Sequence, residues 1–229
     1  MTLPRLSPLR RADLARFDWA TGLWTSLGVL RRHLGALGAT RAAAALVARA
    51  HRDPLRDVPA PGGWPALQDE LTRHQLRPVL HMDDIAREVL GLSDDARMAL
   101  LTDLVAETGA RFVAGTVPQL ALTRWRHADA GERERFAADV AGRLVNARVE
   151  QRSTGDAHLA FDVTGCLFVE LCRSVGRPYL APLFCEADSR HFDSPRSPLT
   201  LVRESTIARG ATRCDFRFVY RPDPDDAAG

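Results

Sequence analysis

The spacing of apolar residues changes along this chain, and that change limits its fold more than any single motif does. Leu14, Phe17, Leu23, Leu27, Leu30, Leu34 and Leu37 recur at the intervals of a helical face. Beyond residue 148 the period becomes two: His158, Ala160 and Asp162 alternate with Leu159, Phe161 and Val163, as in a half-buried strand. Helices followed by short strands predict an α+β fold, a helical N-terminal half packed with a small antiparallel β-sheet in the C-terminal half. With 229 residues the chain suits a single domain, 1–147 mostly helical, 148–220 α+β, and 221–229 an acidic, proline-containing tail.

The helical part is punctuated. An alanine-rich helix is expected from Thr40, as N-cap, to Ala50. Four prolines and two glycines within Asp53–Pro65 predict a loop. Helices are expected over Ala66–Leu76, Asp83–Leu90, Asp94–Glu107 (capped by Ser93 and closed by Gly109), Val113–Trp125 and Gly131–Val149. Further on, Arg148–Ser153 is expected to pair with the 158–163 strand through a Thr154-Gly155-Asp156 turn. Cys166–Val175 reads as a short helix stopped by Gly176, with another from Pro178 through Phe184. Strands at Thr200–Ile207 and Thr212–Tyr220 are expected to meet at Arg209-Gly210-Ala211.

Composition narrows the chemistry. The chain contains no lysine, so all 31 basic residues are arginine, against 29 acidic ones. A lysine Schiff base is thereby excluded, and anions must be bound by planar guanidinium forks. A net charge of +2 without interleaved basic and aromatic residues gives no reason to expect nucleic-acid binding, and Arg31-Arg32-His33 reads as a solvated helix face. No apolar run approaches the ~20 residues of a membrane span. The arginine-containing start lacks a following apolar core, so no export signal is expected and the cytoplasm is the default address. Cys166, Cys172, Cys185 and Cys214 are then expected to be reduced thiols, and their spacing suits no structural zinc site. His81-Met82-Asp83-Asp84 is more cheaply explained as carboxylates at a helix start than as metal ligands. No metal is expected.

The C-terminal half carries a distinctive order of elements. Cys166 through Cys172 leads past Gly176-Arg177-Pro178 to Cys185-Glu186-Ala187-Asp188; Arg203, Thr206 and Gly210 follow, then Cys214-Asp215-Phe216. This order resembles the L-2-amino-thiazoline-4-carboxylate hydrolase family, over roughly a quarter of the chain. The resemblance implies a cofactor-independent enzyme acting on a ring carbon–nitrogen bond of a small amino-acid-derived substrate. Relatives in azabicyclic natural-product biosynthesis close an aziridine with loss of sulfate, on a substrate carried by a small acidic carrier protein. Abundant arginine and the lack of a metal set to activate water favour ring closure over hydrolytic ring opening at this stage. A non-catalytic small-molecule-binding domain is the alternative from another class. The partners expected are the small-molecule substrate, such a carrier protein and a second copy in a homodimer, with no nucleic acid and no membrane.

Within that order the candidate catalytic residues are Cys185, Asp188, His191 and Asp215, and the candidate anion-binding residues are Arg190, Arg203, Thr206 and Arg209. A cation near Cys185 would lower its thiol pKa and make it a nucleophile; otherwise it is a small buried residue. Asp188, Arg190, His191 and Asp193 are expected in a polar loop, the kind of segment that carries function disproportionately. Alternation puts Cys214 and Asp215 on opposite faces, Cys214 inward with Phe216 and Phe218 and Asp215 outward. Glu170, one turn after Cys166, reads as a solvated helix residue. Arg203 is expected on a strand, sharing a face with Ser205 and gripping a substrate carboxylate or sulfate.

Overall fold

A computed structural model describes residues 2–118 and 120–221, at 151 and 152 by backbone only. The helical region begins with α1 (Arg11–Phe17), runs through a π-helical turn (Asp18–Gly22) into α2 (Leu23–Arg49), and continues with α3 (Ala66–Glu88), α4 (Asp94–Thr116), α5 (Leu122–Arg126) and α6 (Ala130–Ala141). Then come β1 (Ala147–Thr154), β2 (His158–Cys166), α7 (Leu167–Ser174), a 3₁₀ turn (Pro178–Leu180), α8 (Ala181–Phe192), β3 (Leu199–Val202), a second 3₁₀ turn (Ile207–Arg209) and β4 (Cys214–Tyr220). The fold is α+β, as the change of period predicts.

Several helix boundaries differ from expectation, each for a local reason. Thr40 caps nothing: it lies inside α2 and its hydroxyl donates to the Ala36 carbonyl at 3.0 Å. The break in that helix is at Gly35, at φ 68° and ψ −179°, a conformation open to glycine. The helices expected at 66–76 and 83–90 are one, because Leu76, Val79, Leu80, Met82 and Ile85 are all buried and hold α3 straight through Pro78. Ser93 does cap α4, accepting from the Ala96 amide. Gly109 does not end that helix; Pro118 does, by holding Val117 extended. The expected helix at 113–125 is therefore split between α4 and α5, and that at 131–149 stops at Ala141, where the chain turns into β1.

The sheet is antiparallel with order β1-β2-β4-β3. Leu159, Phe161 and Val163 of β2 pair with Phe218, Phe216 and Cys214 of β4. Their shared face packs on Trp125, Phe136 and Phe192 to form one apolar core. A second core joins Leu76, Leu80 and Ile85 of α3 to Leu100 and Leu104 of α4 and Leu167 and Leu171 of α7. Helix α8 spans both, with Leu180, Ala181 and Leu183 at its start in the helical core and Phe192 at its end in the sheet core. The acidic tail expected beyond Arg221 lies outside the described residues.

Candidate active site

The site residues are brought together by two chain reversals. Gly176, at φ 70°, ends α7; its amide and that of Arg177 turn back onto the carbonyls of Arg173 and Cys172. Pro178 then opens the run into α8. The stretch expected as a polar loop is helical instead, because Leu183 and Ala187 give it a buried side four residues apart and no breaker occurs before Ser194. The helix places Cys185, Asp188 and Ser189 three and four residues apart, on a common side.

Facing α8 is the segment after β3. The expected strand stops at Val202, and residues 203–206 leave the sheet before the Ile207–Arg209 turn, closed by Gly210 at φ 98°. Asp215 holds this segment in place. Its Oδ1 accepts from the Ser205 amide and hydroxyl, both at 2.7 Å, and its Oδ2 from the Glu204 amide at 3.3 Å. Cys214 is buried and its Sγ accepts from the Ile207 amide at 3.2 Å.

Between α8 and this segment lies an open cleft of about 530 Å³, lined by Cys185, Glu186, Ser189 and Asp193 on one side and by Leu201, 203–206, Arg209 and Ala211 on the other. Arg203 is fixed in it, its side chain only 7% exposed. Its Nη1 donates to Asp188 Oδ2 and its Nη2 to the Cys185 carbonyl, both at 2.9 Å, and the guanidinium sits over the Phe216 ring at 5.0 Å. Arg209 pairs with Glu186 at 2.8 Å, joining the two walls. Thr206 is buried, and its Oγ1 has no hydrogen-bond partner among the described residues.

The electrostatics separate the thiols from the carboxyl. Burial pushes the Cys185 thiol up to about 12, against the opposing pull of Arg203, so it is protonated at neutral pH. A cation near this thiol is supplied by Arg203 rather than by Arg190 or His191, and desolvation outweighs it. Cys166 is likewise raised by burial, to about 11, although the amides of Val169 and Phe168 favour its thiolate. Burial also raises the Asp188 carboxyl above its ordinary range, with Arg203 opposing the shift. A carboxyl in that position can exchange a proton closer to neutrality than a solvated aspartate.

Cys185, Arg203, Thr206 and Arg209 thus line one cleft, and Asp188 joins it through Arg203. Three expected members lie elsewhere. Arg190 reaches to α4, pairing with Asp103 at 3.2 Å and Glu107 at 2.7 Å. His191 stacks edge-on against Phe192, and burial lowers its pKa. Asp215 is engaged by the 204–205 backbone, where it faces a separate shallow hollow with Asp162 and Arg217. Glu170 is not simply solvated, since Trp64 Nε1 donates to both its oxygens at 3.0 and 3.1 Å. Glu186 and Ser189 were not among the expected site residues; reading 181–192 as a helix places Ser189 one turn from Cys185. Among the described residues no group of three or more His, Cys, Asp or Glu side chains is placed to hold a metal ion, and no helix is long and apolar enough to cross a membrane.

A comparison with protein families matches residues 83–218, more than half of the chain, to the family described as L-2-amino-thiazoline-4-carboxylic acid hydrolase. The chain belongs to this family. Membership makes it a hydrolase-like enzyme of small molecules, and the matched region contains α8, the cleft and every candidate residue. No curated protein and no solved structure matches the chain.

Proposed function

We propose that this hydrolase-family member opens a C=N-containing ring of a small amino-acid-derived carboxylate, using Asp188 as its acid–base group. The observation that carries the reading is the Asp188–Arg203 pair beside the cleft, a desolvated carboxyl held in one orientation by a guanidinium that is itself immobilised. In this mechanism Asp188 takes a proton from water as the water oxygen adds to the ring C=N carbon, and passes it to the ring nitrogen. As the tetrahedral carbon collapses to C=O, Asp188 takes the hydroxyl proton and delivers it to the ring heteroatom that leaves. Thr206 Oγ1, buried without a partner among the described residues, and Arg209, exposed on the cleft wall, are suited to the substrate carboxylate. Cys185 lines the cleft as a neutral thiol.

Ring closure with departure of sulfate fits this geometry less well. It calls for free bidentate donors, and both terminal nitrogens of Arg203 are already engaged by Asp188 and the Cys185 carbonyl. Two parallel assays separate the readings. The protein is incubated with L-2-amino-thiazoline-4-carboxylate, following loss of the ring, and with a vicinal amino sulfate ester, following sulfate release. Ring loss without sulfate release is expected; sulfate release with the thiazoline left intact would overturn the proposal.

A further inference from the structure

Asp83 was expected at a helix start and instead lies in the last third of α3, with a fully buried side chain. Burying a lone carboxylate is costly, and this one is compensated from three directions. Arg97 of α4 pairs with its Oδ1. Arg177 Nη1 and the Tyr179 hydroxyl donate to its Oδ2 at 3.0 and 2.7 Å. Arg177 also donates to the Leu80 carbonyl at 3.2 Å and to Asp84 at 2.7 Å. Arg177 and Tyr179 flank Pro178, in the link that joins the end of α7 to the start of α8.

That link sets where the site residues stand. Helix α7 begins just after Cys166, and α8 carries Cys185 and Asp188 one to two turns after the link. On its far side α8 presses against α4 so closely that a Cβ on Gly109 would come within 2.4 Å of the Ala187 Cβ. The link ties the start of α8 to α3 and α4, and Asp83 is where its two side chains are anchored. We propose that Asp83 is a positioning residue, which through Arg177 and Tyr179 fixes the setting of α8 and hence of Cys185 and Asp188 at the cleft. The inference rests on the cleft beside α8 being the active site, but its test needs no turnover.

Amide exchange over residues 181–192 and the rate of Cys185 alkylation by iodoacetamide, both read by mass spectrometry, are compared in the wild type, Asp83→Asn and Tyr179→Phe. Tyr179 is 38% exposed, so losing its hydroxyl opens no cavity in the core. Tyr179→Phe is expected to raise both readouts about fivefold, the factor for one hydrogen bond of ordinary strength. Asp83→Asn, which sets an amide donor against two arginines, raises them further. Exchange in β1 and β2 stays at the wild-type rate in both. Wild-type values for α8 and Cys185 in a folded variant overturn the proposal, as does an equal rise over the whole chain, which marks general destabilisation. If Asp83→Asn fails to fold, Tyr179→Phe decides alone. Should the wild type prove inactive on the thiazoline, these readouts stand unaffected.

Discussion

The charge on Asp215 is held by donors of the chain itself, from Ser205 and Glu204, and that decides its role. Burial raises its pKa, but those hydrogen bonds outweigh burial and leave it below the ordinary aspartate value. A carboxyl depressed in the folded state stabilises the fold above its unfolded pKa, and that stability is lost as pH falls through the folded value. Asp215→Asn is therefore expected to lower unfolding stability by about 1.5–3 kcal/mol at pH 7, as for hydrogen bonds to a charged group. In urea titrations the gap to wild type should narrow below about pH 4, the region where a free aspartate protonates. An equal gap at all pH values would contradict the assignment. At this scale the sequence was only half legible. Alternation correctly turned Cys214 inward and Asp215 outward, because a two-residue period is a local property. It could not show that Arg203 would be buried against Asp188 and Phe216, since that depends on where the chain leaves the sheet.

At the scale of elements the packing of α4 against α8 is the most exacting contact. Gly109 was read as a helix stop, yet it lies inside α4 because a side chain there would collide with Ala187. Gly109→Ala should favour the isolated helix but overpack this contact, with a net cost of about 1–3 kcal/mol. Ala187→Gly on the same chain should return part of that loss. A thermal-melting double-mutant cycle checks it, and additive effects would mean that the two helices do not meet as described. Glycine has more than one use in a helical sequence, and only the partner helix tells them apart. The same holds for the polar run at 185–193: its charges suggested a loop, while the buried side that makes it a helix, Leu183 and Ala187, appears only once α4 and the cores are in place.

For the whole molecule, the change of apolar period at about residue 148 proved the most informative signal, since β1 begins at Ala147. That signal is legible because period depends on local geometry alone. What it could not give is the meeting of two cores along one helix: α8 starts in the helical core and ends in the sheet core, and Ile207 packs on both. The cleft opens beside that junction, between α8 and the segment that Asp215 holds. The account places the acid–base chemistry of ring opening on Asp188 and makes Cys185 a neutral wall of the cleft. The most direct measurement is turnover of L-2-amino-thiazoline-4-carboxylate by Asp188→Asn and Cys185→Ser beside the wild type, with melting temperatures taken on the same samples. Loss of a positioned acid–base group predicts a fall of ~10²–10⁴-fold for Asp188→Asn, with Cys185→Ser staying near the wild-type rate. A folded Asp188→Asn at the wild-type rate, or a Cys185→Ser that loses all turnover, would contradict it.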